Sequence, residues 1–179
     1  MKIVKVEAIP FAIPYRKALR FASGEVRVAD HVLVRVHTDD GVVGVAEAPP
    51  RPFTYGETQE SIVAVIGKLF APDLVGLTLL EREVARARMD RTVGNPAAKA
   101  SVDMAIWDAL GRTLDLSVSA LLGGFTDRMR VCHMVGFAPD EEMVAEAERI
   151  RDLYGITTFK VKVGRRPILA TNGGRTAFS

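Results

Sequence analysis

The chain has 179 residues, 48% of them hydrophobic and 26% charged, with 24 Lys and Arg against 22 Asp and Glu for a formal net charge of +2. That length holds one or two domains and falls short of the roughly 250 residues of a complete eight-stranded βα barrel. The near-balance of charge disfavours a nucleic-acid partner, and no apolar run has the ~18 residues of a membrane span or the pattern of a secretion signal. Cys132 is the single cysteine, which rules out an internal disulfide and points to a reducing, cytoplasmic compartment. It is expected as a small buried side chain.

Residues 2–14 set Ile3, Val4, Val6, Ile9 and Phe11 among charges and read as a strand stopped by Pro10 and Pro14. Residues 15–30 read as a loop around Ser23 and Gly24. The apolar residues of 31–38 and 42–45 flank the turn Asp39-Asp40-Gly41, so residues 31–46 form a hairpin. After the proline-rich segment 47–53, Ile62, Ile66, Leu69 and Phe70 recur at helical intervals until Pro72. Thr78 and Glu81 have the spacing of a capping box, ahead of a helix whose Leu80, Val84 and Ala87 share a face. Asn95 caps a third helix, Pro96 fits its first turn, and Val102, Ala105, Ile106 and Ala109 supply a packing stripe before Gly111.

A short helix is expected over 117–122, a turn at Gly123-Gly124 and an extended segment over 129–135. Pro139 opens a helix in which Met143, Ala147, Ile150 and Tyr154 repeat on one side, with Gly155 as terminator. A strand over 157–163 completes a strand, helix, strand unit long enough for parallel pairing. The first 110 residues are thus a small antiparallel sheet covered by helices, and the next region begins an α/β domain. Residues 164–179, with Pro167, Gly173 and Gly174, do not continue it.

The strongest chemical cue is Phe159-Lys160-Val161-Lys162-Val163. Alternation puts Lys160 and Lys162 on one side of a strand and the apolar residues on the other. Two close ammonium groups lower one another's proton affinity, which suits a lysine that exchanges a proton. The same alternation also suits a half-exposed edge strand on which lysines block aggregation, and spacing alone favours that reading. Glu47 and Asp103 read as structural or solvated carboxylates, and His31, His37 and His133 lack ligand spacing. Met104 and Trp107 read as packing residues. The segments 19–24 and 51–55 place Phe21, Arg51, Phe53, Thr54 and Tyr55 where loops can cover a ligand.

Taken together, Gly44-Val45-Ala46-Glu47-Ala48-Pro49, the segment 100–112 around Asp103 and Trp107-Asp108, the segment 121–124 and Lys160-Val161-Lys162 resemble, in order, the muconate cycloisomerase (muconate-lactonising) subgroup of the enolase superfamily. The resemblance covers roughly residues 1–164. It implies an α+β N-terminal capping domain followed by an incomplete (β/α) TIM-like barrel: capping domain 1–112, connecting segment 113–128, first barrel βαβ unit 129–164 and an aberrant tail 165–179. It also implies that Lys162 is the catalytic lysine, that Lys160 tunes it, and that the two loops close over a small carboxylate substrate.

In a complete relative the resemblance implies Mg²⁺ or Mn²⁺ stabilising an enolate-like intermediate. The three acidic ligands and an opposing lysine would then come from later barrel strands, with none supplied by this chain. The expected reaction is cycloisomerisation of an unsaturated dicarboxylate; racemisation, epimerisation or dehydration of a carboxylate is the alternative within the superfamily, and a non-enzymatic binding or assembly module the alternative outside it. A homo-oligomer is compatible with these readings. The tail is expected to reflect a premature stop, a frameshift or a fragment, leaving the isolated chain inactive.

Overall fold

The computed structural model describes residues 1–21 and 24–162, apart from the side chains of Lys17, Leu19, Arg20 and Phe21. It divides into two compact units, Met1–Arg16 with Val28–Asp127, and Lys17–Arg27 with Arg128–Ser179. The architecture is an α+β capping region, built on an antiparallel sheet, followed by the start of an open parallel sheet of the barrel type.

Three strands, β1 (Ile3–Phe21), β2 (Gly24–Thr38) and β3 (Val43–Ala48), form one sheet in that order. β2 and β3 pair antiparallel, from Val32 opposite Ala48 to His37 opposite Val43. The hairpin expected over 31–46 is present, but β1 and β2 run much further than the sequence suggests. β1 continues through Pro10 and Pro14 because it lies at the sheet edge, where a residue without an N–H need not donate to a ladder. The segment expected as a loop, 15–30, belongs to β1 and β2 over its described residues. Burial changes along the strand: in β2 only Val32, Val34, Val36 and Thr38 are buried, whereas Val26 and Val28 are exposed. Val26 and Val28 nevertheless keep the period-two phase of Val32, Val34 and Val36, so the alternation of β2 runs on where no core lies behind it.

Helices cover the sheet. α1 (Gln59–Val65) passes through a π-helical turn, Ile66–Phe70, into α2 (Ala71–Leu74). Pro72 therefore does not end the helix: it lies in the first turn of α2. The buried face is Ile62, Ile66, Phe70 and Leu74, while Leu69 is exposed.

α3 (Arg82–Asp90) buries Ala85 and Met89 and leaves Leu80 and Val84 exposed, so its packed side differs from the one expected. Of the capping box, the arm from the Thr78 N–H to Glu81 Oε2 forms at 2.8 Å, and that bond holds the Glu81 carboxyl below the usual carboxylate range. Glu81 itself occupies the cap position.

α4 (Pro96–Leu114) is the long central helix, and its Val102, Ala105, Ile106 and Ala109 are all buried, as the spacing predicts. Met104, by contrast, is half exposed, whereas Trp107 is partly buried and packs against the core as expected. Asn95 precedes the helix in a left-handed conformation and donates to Val93 O instead of capping. The cap comes from 40 residues upstream. Glu57, 2% exposed, accepts from the N–H of Ala97 at 2.7 Å and of Ala98 at 3.0 Å. A carboxylate there satisfies two orphan donors and faces the positive end of the helix dipole. The helix also runs past Gly111, at which a Cβ would lie 2.8 Å from Leu116 O; Asp115, at φ 54°, ends it.

The second closely fitted point is Gly44. A Cβ there would stand 2.1 Å from Ala105 O and 2.6 Å from Ala109 Cβ, so β3 and α4 touch backbone to backbone. Asp108 reinforces this contact by accepting from Val45 N and Arg112 Nε, both at 2.8 Å.

In the second unit β4 (His133–Val135) and β5 (Phe159–Val161) pair parallel, joined by α6 (Asp140–Tyr154), with Gly155 at φ 67° closing the helix as expected. Ile150 is buried but Tyr154 is exposed, so the packed stripe of α6 stops one turn early. Cys132 is exposed, contrary to expectation, because it lies just before β4 begins. In the first unit, the short helix α5 (Val118–Leu121) is capped by Ser117 Oγ, which accepts from Ala120 N at 3.1 Å.

Two stability measurements test this account. Gly44→Ala is expected to lower the free energy of unfolding by about 3 kcal/mol, since the clash is with helix backbone that cannot move aside alone; the urea midpoint reads it. Glu57→Ala is expected to cost about 1–3 kcal/mol by orphaning two buried N–H groups, with Glu57→Gln retaining part of the cap.

Candidate functional site

The two faces of the parallel pair are chemically distinct. On one side His133, Val135, Phe159 and Val161 alternate toward α6. His133 Nε2 bonds Glu146 of α6 at 2.8 Å and its ring meets Phe159 edge-on, with centroids 6.4 Å apart. Val135, Phe159 and Val161 line an apolar cleft of about 320 Å³ with Met143 and Ala147 of α6. By elimination the other face carries Met134, Lys160 and, one step beyond β5, Lys162. Just past the strand, the Lys162 N–H donates to Val135 O at 3.2 Å. Its side chain is half-buried and that of Lys160 is exposed.

The second group lies in the first unit. β3 ends at the buried Ala48, and Pro49, Pro50 and Pro52 lead into a tight turn in which Arg51 O accepts from Thr54 N at 2.9 Å and Tyr55 N at 2.7 Å. Gly56, at φ 77°, leads out. Phe53 is 89% exposed and Tyr55 54%; Arg51 and Thr54 are exposed too, and Arg51 Nη1 donates to the neighbouring Pro50 O. Phe21 ends β1, so the segment expected as a loop at 19–24 is strand on either side of residues 22–23; the Phe21 side chain lies outside the described residues.

The remaining carboxylates and histidines have structural partners. Glu47 bonds His31 Nδ1 across β2 and β3, and His37 Nε2 bonds Glu7 at 2.6 Å. Asp103 accepts from Arg82 at 3.0 Å, whose guanidinium also lies 3.5 Å above the Trp107 ring, a cation–π contact. Among the described residues no three His, Cys, Asp or Glu side chains stand close enough to share a metal ion. The oxygen-rich set that Mg²⁺ or Mn²⁺ requires is thus not met by them.

Sequence reasoning assigned no role to Glu57 or Gln59. Gln59 Nε2 donates to His31 O at 2.7 Å and Phe11 O at 3.0 Å. The one available signal was a carboxylate directly after a turn glycine and before a Thr-x-x-Ser helix start. Its partner, the N-terminus of α4, is too distant in sequence for any local pattern to show.

Residues 4–123 match the family model described as mandelate racemase / muconate lactonizing enzyme, N-terminal domain. The fold is similar to that of the muconate lactonizing enzyme from Mucobacterium Smegmatis solved with muconolactone, at 75% identity and a TM-score of 0.90, over 93% of this chain and 46% of that one. It is also similar to a dipeptide epimerase from Enterococcus faecalis V583 solved with Mg and the dipeptide L-Leu-L-Tyr: 32% identity, TM-score 0.86, over 92% of this chain and 46% of that one. Among curated relatives, the L-Ala-D/L-Glu epimerase of Bacillus subtilis (strain 168) is 34% identical over 94% of this chain and 46% of its own length. The chain therefore spans less than half the length of these relatives. It belongs to the mandelate racemase / muconate lactonizing enzyme family.

Proposed function

We propose that the chain forms the capping region and first barrel strands of a muconate-lactonising cycloisomerase. The observation that carries this reading is the lysine-bearing face of β5, turned away from α6, in a chain 75% identical to a muconate lactonizing enzyme over their shared part. In the reaction, one carboxylate oxygen of an unsaturated dicarboxylate adds to the substrate's own conjugated double bond. The π electrons move toward the second carboxylate, leaving an enolate-like carbon. The Lys162 ammonium gives its proton to that carbon, closing the new C–H bond and leaving a neutral amine.

Lys160, two residues away on the same face, sets a second cation beside Lys162 in this reading. Its cation also favours the anionic substrate. Phe21, Arg51, Phe53, Thr54 and Tyr55 cover the substrate in this reading, with Arg51 pairing a carboxylate and the aromatic rings excluding water. The described residues do not form the site of a divalent ion, so no step is assigned to one. A small carboxylate as partner and a cytoplasmic location belong to the same reading; no described helix is long and apolar enough to cross a membrane.

The test joins residues 1–162 to the remaining barrel of the Mucobacterium Smegmatis enzyme and assays conversion of muconate to muconolactone. Activity is expected in the fusion and a fall of at least about 10³-fold in Lys162→Ala, the scale of losing a general acid. Unchanged turnover in that variant removes Lys162 from the chemistry, and turnover of dipeptides instead of muconate moves the assignment to an epimerase. The 179-residue chain alone is expected to show no turnover with Mg²⁺ or Mn²⁺.

A further inference from the structure

Both ends of the loop 49–58 are fastened to one residue, His31. On the way in, the Glu47 carboxylate bonds His31 Nδ1; on the way out, Gln59 Nε2 gives one hydrogen to His31 O and the other to Phe11 O. The imidazole is 14% exposed, stands edge-on to the Phe11 ring with centroids 6.1 Å apart, and its Nε2 is buried without a partner. A third tie, Glu57, fixes the loop to α4. Between these points three prolines restrict the backbone, and Arg51 O gathers two N–H groups into a turn that leaves Phe53 and Tyr55 outside.

We propose that His31, Glu47 and Gln59 form a clasp that sets the position of the 51–55 turn, making Gln59 a positioning residue for whatever that turn covers. The inference rests on the substrate-covering reading of the turn given above. Its physical content is pre-organisation: a loop held in its working shape before a ligand arrives loses less conformational freedom when it closes. Gln59 is the only one of the three that contributes two donors from a single nitrogen to two different strands, β1 and β2. A carboxylate of the same length cannot replace it, because it has no hydrogen to give.

Chymotrypsin provides the test, since Phe53 and Tyr55 mark the turn and Phe125, fully exposed, provides an internal control for general unfolding. In the full 179-residue chain, Gln59→Glu is expected to speed cleavage after Phe53 and Tyr55 by about tenfold, the effect of losing two hydrogen bonds, without changing the rate at Phe125. Gln59→Lys, whose ammonium can donate to both carbonyls, is expected to restore the slow rate. Equal cleavage in parent and Gln59→Glu overturns the clasp, as does a Gln59→Lys chain as labile as Gln59→Glu. If Gln59→Glu also accelerates cleavage at Phe125, Glu47→Ala replaces it: faster cleavage at the turn alone supports the clasp, and an unchanged rate overturns it.

In the barrel fusion, Gln59→Glu is expected to raise KM with little change in kcat. A KM that stays fixed while cleavage accelerates leaves the clasp standing and removes the substrate-covering role of the turn.

Discussion

The capping region depends on how closely β3 can approach α4. A glycine at 44 facing alanines at 105 and 109 removes the side chains that would hold strand and helix apart, and the residual space is smaller than a methyl group. Backbone contact at that distance fixes the rotation of α4 as well as its separation from the sheet. Asp108, one turn from Ala105, then accepts from the Val45 N–H and from Arg112 Nε through one oxygen, Oδ2. The consequence extends to the loop beyond β3. One end of that loop is set where β3 leaves the Gly44 contact, and the other where Glu57 meets the first turn of the same helix. The helix therefore measures the gap that the exposed turn must bridge.

Several ionisable groups in this region serve the scaffold. A buried carboxylate such as Glu57 is costly unless its charge is met, and two N–H bonds at a helix N-terminus meet it without a cation. Arg82 is balanced differently: Asp103 takes one nitrogen, the Trp107 face lies under the guanidinium carbon, and Nε is left buried without a partner. That orphan is tolerable because the ring and the carboxylate both favour the cation. These arrangements join α3 to α4 and the loop to α4. Glu47 and Asp103 likewise have protein partners, His31 and Arg82.

How much of this was legible depended on whether the determining contacts were local. The stripe from Val102 to Ala109 is a helical pattern against a core and could be read directly; so could the β2 and β3 hairpin, whose turn residues and buried valines agree, and the parallel pairing of β4 and β5. The family resemblance rested on motifs spread along the chain and is shown by the match over residues 4–123. What was missed had non-local causes. Pro10 and Pro14 stop a strand unless it is an edge, and sheet order is not written in β1 itself. Asn95 is a good cap by type, but its left-handed backbone turns the side chain to Val93 O while a distant glutamate takes the helix. Leu80 and Val84 look like a packed face until Ala85 and Met89 prove to be the buried ones.

The lysine face follows from packing on its opposite side. In a strand, consecutive side chains have no choice but to diverge, so fixing Phe159 and Val161 against Met143 and Ala147 commits Lys160 to the other surface. His133 strengthens the commitment, because its bond to Glu146 and its contact with Phe159 both lie on the α6 side. A one-residue slip of β5 would place an ammonium in the apolar cleft, and the cost of desolvating it resists that slip more strongly than backbone pairing alone. The apolar half of the unit thus supplies the register, and the register determines where the two cations stand. Edge protection needs only that lysines be exposed. Lys160 is exposed and Lys162 half-buried, with the Lys162 N–H held by Val135 O.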